Sequence, residues 1–369
     1  MSTRINIAII AGQLVVGGAE RQLYLWLSNL DRDRFNPIVL TLHPGHHDYW
    51  EKPIDNLGIP LFRISHRTNP AHRLIDIVKI LRPHRPELIH GWHTFASPYA
   101  GLSGKLLRST SLGGMRSSYR TLEHTWETKL TRVFCNAVVS NSETTAAAYR
   151  ESLNGKKQPV FTVQNAVDTD FIAREEVRTH LVQTYGLPAD AIWIASIGRM
   201  DPLKRFDFLV HLAENLKQKS LNFHCLLIGD GPEKDTLEIL SSELDVADKI
   251  TFTGEVPNAS CWMKGFDIFC FPSIDEGLPN AIMEAAAAGL PVVAWRLPFV
   301  EELLDKGNLA FLVEPYDLDG MEESLKALIC SVDLRKRLGS AAQAHIQTRL
   351  NLGRYIQAMT AVYEILLEE

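Results

Sequence analysis

The chain has 369 residues, with 46% hydrophobic and 22% charged residues, an ordinary globular balance with apolar material for two cores. Its cysteines (Cys135, Cys225, Cys261, Cys270 and Cys330) are odd in number, scattered and without a C-x-x-C pair, which argues against a disulfide framework or zinc knuckle and reads as a reducing cytoplasm. The net charge of −6 hides an asymmetry: residues 1–165 carry 20 Lys and Arg against 12 Asp and Glu, or +8, and the remainder 18 against 32, or −14, so the two halves face different partners.

In chain order, short apolar runs predict strands at Ile5–Ala11, Pro37–Leu42, Leu61–Ile64, Leu88–His90 and Ala137–Ser140. The first run imitates a signal peptide, but it is short and lacks a clear cleavage site, so it reads as a buried strand. The pattern restarts after about residue 190, with Ile192–Ile197, Phe223–Ile228, Ile250–Phe252, Ile268–Phe271 and Pro291–Ala294. Amphipathic stretches between these runs predict helices, among them Ala19–Leu30, Arg73–Leu81 and Phe206–Lys217. Tyr355–Leu367 reads as a last helix with no strand after it. Such alternation means parallel sheets covered by helices on both faces. A restart in the middle predicts two doubly wound α/β domains, with one eight-stranded barrel as the formal alternative. The boundary falls in 165–190, between the string Asn165-Ala-Val-Asp168 and the turn Gly186-Leu-Pro188. No stretch approaches the ~20 apolar residues of a membrane span, so any work at a membrane is done from its surface.

Three segments carry chemistry. Asp275 to Pro291 follows the strand ending at Phe271 and contains Glu276, Gly277, Leu278, Pro279, Asn280 and Glu284. Pro279 suits a first helical turn, so Glu276 and Gly277 lie in the loop at the strand's carboxyl edge and Glu284 about one turn into a helix. A helix N-terminus at that edge binds phosphate, and a carboxylate one turn in suits a ribose diol. Solvated charges on an exposed turn are the bland alternative, weakened by the run Ala285–Ala288, which lets the helix pack closely. In the second segment, Arg199 and Lys204 are five apart across a loop containing Pro202, and two fixed cations can neutralise a diphosphate without a metal. In the third, Gly17 and Gly18 sit between a strand and a helix, where backbone can approach a ligand. Gly229-Asp-Gly-Pro232 is a weak dinucleotide fingerprint. The pairs Asp31/Asp33, Asp168/Asp170 and Asp317/Asp319 read as structural or solvated rather than metal-binding. Arg63, Arg67, Arg73, Lys79, Arg82 and Arg85 cluster on one amphipathic stretch that suits either anionic lipid or plain solvent.

These residues resemble a known family, the retaining glycosyltransferases of family 4. The matching elements, in order, are Gly17-Gly-Ala-Glu-Arg21, Ser140-Asn-Ser-Glu143, Asn165-Ala-Val-Asp168, Gly198-Arg199 with Lys204, Gly229-Asp-Gly-Pro232, and Glu276 with Glu284 in the form E-G-L-P-N-x-x-x-E-A. The resemblance implies a GT-B fold: two Rossmann-like domains facing a cleft, 1–168 for acceptor and 169–349 for donor, with a terminal helix, 350–369, crossing back to the first. It implies that Arg199 and Lys204 bind the donor diphosphate, that Glu284 holds the ribose, and that Glu276 with Gly277 to Asn280 binds the donor sugar. Gly17 and Gly18 approach the donor from the first domain. No metal or other cofactor is implied.

Many relatives carry a histidine near the transferred sugar, where this chain reads Gly113 to Ser118. Arg116, His93 and His124 are candidates for that place. The activity implied is transfer of a hexose with retention, from a nucleoside diphosphate sugar (UDP-hexose favoured, GDP-mannose open), to a glycan or lipid-linked glycan acceptor. The setting expected is cytoplasmic, with an anionic membrane surface left open as a partner by the basic stretch and no nucleic-acid partner. The rivals are a nicotinamide-dependent oxidoreductase and a non-catalytic nucleotide-sugar-binding protein.

Overall fold

The structure, a computed structural model, describes residues 4–43, 48–64, 69–118 and 123–368. The chain divides into two compact units, Met1–Ala166 with Leu352–Glu369, and Val167–Asn351.

The first unit holds a seven-stranded parallel sheet of β1 (Ile5–Ala11), β2 (Phe35–Thr41), β3 (Leu61–Arg63), β4 (Leu88–Gly91), β5 (Thr110–Met115), β6 (Ala137–Ser140) and β7 (Val160–Thr162), in the order β3-β2-β1-β4-β5-β6-β7. Helices on both faces bury it. Polar side chains start several of them: Asn69 accepts from the Ala71 and His72 amides, and Ser142 from Thr145 N. The terminal helix Leu352–Glu368 belongs to this unit. Its Tyr355, Met359, Val362, Tyr363 and Leu366 share one core with Ile7, Ile9, Trp26 and Phe35. The i, i+4, i+7 spacing of those five residues is the reason this helix has an apolar face to dock.

The second unit holds β8 (Ile192–Ile197), β9 (Phe223–Ile228), β10 (Ile250–Gly254), β11 (Ile268–Phe271), β12 (Val292–Trp295) and β13 (Phe311–Val313), all parallel, in the order β10-β9-β8-β11-β12-β13. This is the order of a dinucleotide-binding sheet, and it reverses direction between β8 and β11. The first unit reverses likewise between β1 and β4. Ligands bind at such switch points, outside the carboxyl ends of the strands.

Two doubly wound sheets set aside the eight-stranded barrel. The sequence missed β5, β7 and β13. β7 and β13 are three-residue edge strands. β5 contains Gly113 and Gly114 where an apolar run was sought, and both glycines are required: a Cβ on Gly113 would stand 2.8 Å from Thr131, and one on Gly114 2.4 Å from the Trp92 carbonyl.

Candidate active site

At the second unit's switch point, helix Phe206–Gln218 follows β8 and helix Asn280–Ala287 follows β11. Their apolar faces join different cores, so they cover opposite faces of the sheet. The loops between are stitched together. The Leu203 carbonyl accepts from Ile274 N at 2.9 Å and faces the Ser273 hydroxyl at 3.3 Å. Lys204 is thereby set beside Glu276: its ammonium pairs with the same carboxylate oxygen that lies 3.1 Å from Ser273 Oγ. The aliphatic stem of Lys204 runs beside Gly198, and its Nζ stands 5.7 Å from the centroid of the Phe271 ring.

Arg199 lies on the same loop but is exposed, and its side chain pairs with no described residue. Its backbone is fixed. Gly198 N donates to Ile228 O at 3.0 Å, Met200 N to Asp230 O at 2.9 Å, and Glu233 N to Met200 O at 3.0 Å. Gly229 and Gly231 permit this approach, since a Cβ on them would stand 2.0 Å from Gly198 O and 2.3 Å from Met200 O. The second glycine string therefore supports the arginine loop from behind.

Helix Asn280–Ala287 starts without a capping side chain. Pro279 is its N-cap, one residue earlier than a first-turn place, and it offers no side-chain acceptor to the first amides at the carboxyl edge of β11. Gly277, Leu278 and Pro279 are buried, and Glu284 is half-buried one turn in. Ala285, Ala286 and Ala287 are buried against the core. The end of this segment also meets helix Val332–Arg349, where a Cβ on Gly339 would stand 1.9 Å from Gly289 O and Gln343 Nε2 donates to Ala287 O at 2.9 Å. Packing along the helix and at its end holds it in place against the sheet.

At the first unit's switch point, Gly17 is the N-cap of helix Gly18–Ser28. Glu20 folds back over it, with Oε2 2.3 Å from where a Gly17 Cβ would stand. A carboxylate there suits the helix dipole and competes with any other anion. His93 joins this group: its Nδ1 accepts from Gly12 N at 3.2 Å, so its proton sits on Nε2 and is donated to Glu20 Oε1 at 3.1 Å. Phe95 stacks on the His93 ring with centroids 5.4 Å apart.

Arg116 stands at the end of β5, its guanidinium carbon 3.7 Å from the centroid of the Trp92 ring. It donates to Trp92 O at 3.1 Å and to Asn165 Oδ1 at 3.2 Å. Tyr355 donates to Gln22 O at 3.1 Å, and burial pushes its phenol up to about 12 although Arg116 acts in the opposite sense. Arg116 is thus tied into a structural network. His124 is exposed in a turn. Of the three candidates, His93 is the one held at both ring nitrogens, by Gly12 and Glu20.

The Glycosyl transferases group 1 model matches residues 177–345, and the Glycosyltransferase Family 4 model matches residues 16–171. The chain is 27% identical over 341 residues to the lipopolysaccharide core biosynthesis glycosyltransferase LpsD of Rhizobium meliloti, 91% of each protein. It is 26% identical over 326 residues to LpsE of the same organism, 87% of this chain and 88% of that one. The crystal structure of HepE from Anabaena in complex with UDP and glucose aligns with a TM-score of 0.85 at 19% identity, covering 98% of this chain and 100% of that one.

The chain belongs to the group 1, family 4 glycosyltransferases. Its fold is GT-B, and it is an enzyme of that family, which sets aside the oxidoreductase and the non-catalytic binding protein. Two of this glycosyltransferase's D-x-D strings have structural duties. Asp31 accepts from the Asp33 and Arg34 amides, and Asp317 caps helix Leu318–Cys330 through Gly320 N. Among the described residues no cluster of His, Cys, Asp and Glu could hold a metal, and no helix is long and apolar enough to cross a membrane.

The six-residue basic stretch is less free than its composition suggests. Arg63 is forked onto Glu51, Arg73 reaches the Tyr99 hydroxyl, and Arg67 lies outside the described residues. Lys79, Arg82 and Arg85 are exposed. Glu20 drew no role from the sequence pattern although it lies inside the glycine motif. Its i+3 place after Gly17 is the available signal.

Proposed function

We propose that this glycosyltransferase moves a hexose from a nucleoside diphosphate sugar to a hydroxyl of a growing cell-surface glycan, with retention at the anomeric carbon and without a metal. The observation that carries the donor reading is the meeting of Lys204 and Glu276 in front of an uncapped helix start at a topological switch point. The diphosphate takes the Lys204 ammonium and the first amides of helix Asn280–Ala287, with Arg199 closing on it from the exposed side. Lys204 then exchanges one anion for another, which frees the Glu276 carboxylate for the sugar hydroxyls. Glu284 takes the ribose diol. As the glycosidic bond to the diphosphate breaks, negative charge builds on the leaving oxygen, where Lys204 and Arg199 stabilise it. A leaving-group oxygen accepts the acceptor's proton on the same face, so retention needs no second carboxylate.

The UDP and glucose bound to HepE favour a UDP-hexose, and the names of LpsD and LpsE favour a lipopolysaccharide or related polysaccharide as acceptor. Lys79, Arg82 and Arg85 are the residues left to meet an anionic lipid surface, and salt-sensitive pelleting with anionic vesicles checks them. The decisive test of the donor reading is a melting-temperature screen against UDP, GDP, ADP and their sugar conjugates, with and without EDTA. A shift with one base, unchanged by EDTA, supports it. No shift with any nucleoside diphosphate rejects it.

A further inference from the structure

Lys204 is followed at once by Arg205, which has left-handed backbone geometry (φ 51°, ψ 44°) and is the N-cap of helix Phe206–Gln218. That region is strained for any residue with a side chain. Yet the guanidinium is held from several directions. Nε lies 2.9 Å from Asp207 Oδ1 and the terminal nitrogen 2.7 Å from Oδ2. Its central carbon stands 5.1 Å from the ring centroid of Tyr316, 5.4 Å from that of Phe208 and 6.0 Å from that of Trp295. Tyr316, on the loop after β13, is also left-handed at φ 68° although more than half exposed. Two strained residues from two loops therefore meet through one cation.

We infer that Arg205 is a positioning residue for Lys204. The loop before Lys204 is pinned at the Leu203 carbonyl by Ser273 and Ile274, and the backbone after it is pinned by the Arg205 clamp. A left-handed residue at 205 turns the chain sharply into the helix, which throws the Lys204 stem back beside Gly198 and toward Glu276. Without the clamp, Arg205 relaxes toward right-handed geometry and Lys204 loses its fixed direction. The inference rests on Lys204 being a diphosphate contact, and the experiment separates the two.

The experiment measures affinity by calorimetry on the full chain, for whichever of UDP, GDP and ADP gives the largest melting shift. Arg205→Lys keeps the charge but loses the planar fork and the stack. It weakens binding about 5- to 10-fold, Lys204→Ala weakens it at least as much, and in the double variant the Arg205 change adds nothing further. Arg205→Gly, which accepts left-handed geometry without strain, recovers part of the loss. If the two single losses add in full, or if Arg205→Lys lowers the melting temperature and leaves affinity alone, Arg205 does not act through Lys204. If Lys204→Ala leaves affinity unchanged, the diphosphate reading falls and this inference with it.

Discussion

His93 donates from Nε2 to Glu20 while its Nδ1 accepts the Gly12 amide, so both ring nitrogens are engaged inside the first unit. A histidine so held serves as a structural bridge between the Gly12 amide and the Glu20 carboxylate. His93→Asn should therefore keep turnover within about tenfold of wild type, against the roughly 100- to 10,000-fold expected on losing a general base. Stability should fall by about 1–3 kcal/mol, since Gly12 N and Glu20 each lose a partner. Steady-state kinetics beside urea unfolding read both. A loss of turnover beyond about 100-fold would give His93 a part in the chemistry.

Lys204 and Glu276 separate catalysis from stability in the other unit. Lys204→Ala leaves Glu276 with Ser273 and solvent, in a pair about one-fifth exposed, so the fold should survive with a modest loss. Turnover should fall about 100-fold or more, because charge on the leaving oxygen loses a fixed cation. Arg199→Ala should cost turnover with no loss of stability, since Arg199 pairs with nothing described. Normal turnover in a folded Lys204→Ala protein would end the assignment.

How far these sites were legible follows from what each depends on. Glu276 and Glu284 could be placed because an apolar run, a proline and an alanine run give the order strand, loop, helix. The Lys204–Glu276 pair could not, because it depends on Leu203 O meeting Ser273 and Ile274 some 70 residues later. The role of Gly229 and Gly231 was hidden for a similar reason: glycine strings announce close approach without saying to what. β5 was invisible because its glycines answer to Thr131 and Trp92, so packing removed the apolar signal that marks other buried strands. Arg116 is a site candidate from the sequence because it falls where the resemblance implies a histidine. Its bonds to Trp92 and Asn165 became visible only in three dimensions.

Acid should destabilise the protein through two buried histidines. Burial pushes His224 down to about 4, its Nε2 lying 2.8 Å from the Thr251 hydroxyl. Burial first, with Arg116 and His93 adding to it, pushes His90 well below its ordinary value, beside Tyr363 Oη at 2.8 Å. Both rings titrate near 6.5 when unfolded. Below that pH the unfolded chain binds protons that the native one refuses, so stability falls by up to about 1.4 kcal/mol per pH unit for each ring. For His224 the fall ends near pH 4, where the native ring is protonated too. His224→Asn should flatten the slope between pH 6.5 and about 4.5 in urea unfolding. Parallel curves for variant and wild type would remove His224 from the account.

Gly229→Ala should join stability to nucleotide binding through backbone alone. Gly229 stands at φ 140°, donates to Gly254 O at 2.9 Å, and lies where a Cβ would come within 2.0 Å of Gly198 O. Neither the angle nor the space admits alanine, so the strain should cost about 1–3 kcal/mol. The nearer neighbour that can yield is the Gly198–Met200 loop, which carries Arg199 and lies under Lys204. The variant should therefore bind nucleoside diphosphate more weakly, with the melting shift at fixed ligand reduced beyond what the lower starting temperature explains. Calorimetry at a temperature where the variant is fully folded checks this. A less stable protein with unchanged affinity would mean that the displaced backbone is the Gly229 loop itself, and that the arginine loop keeps its place without it.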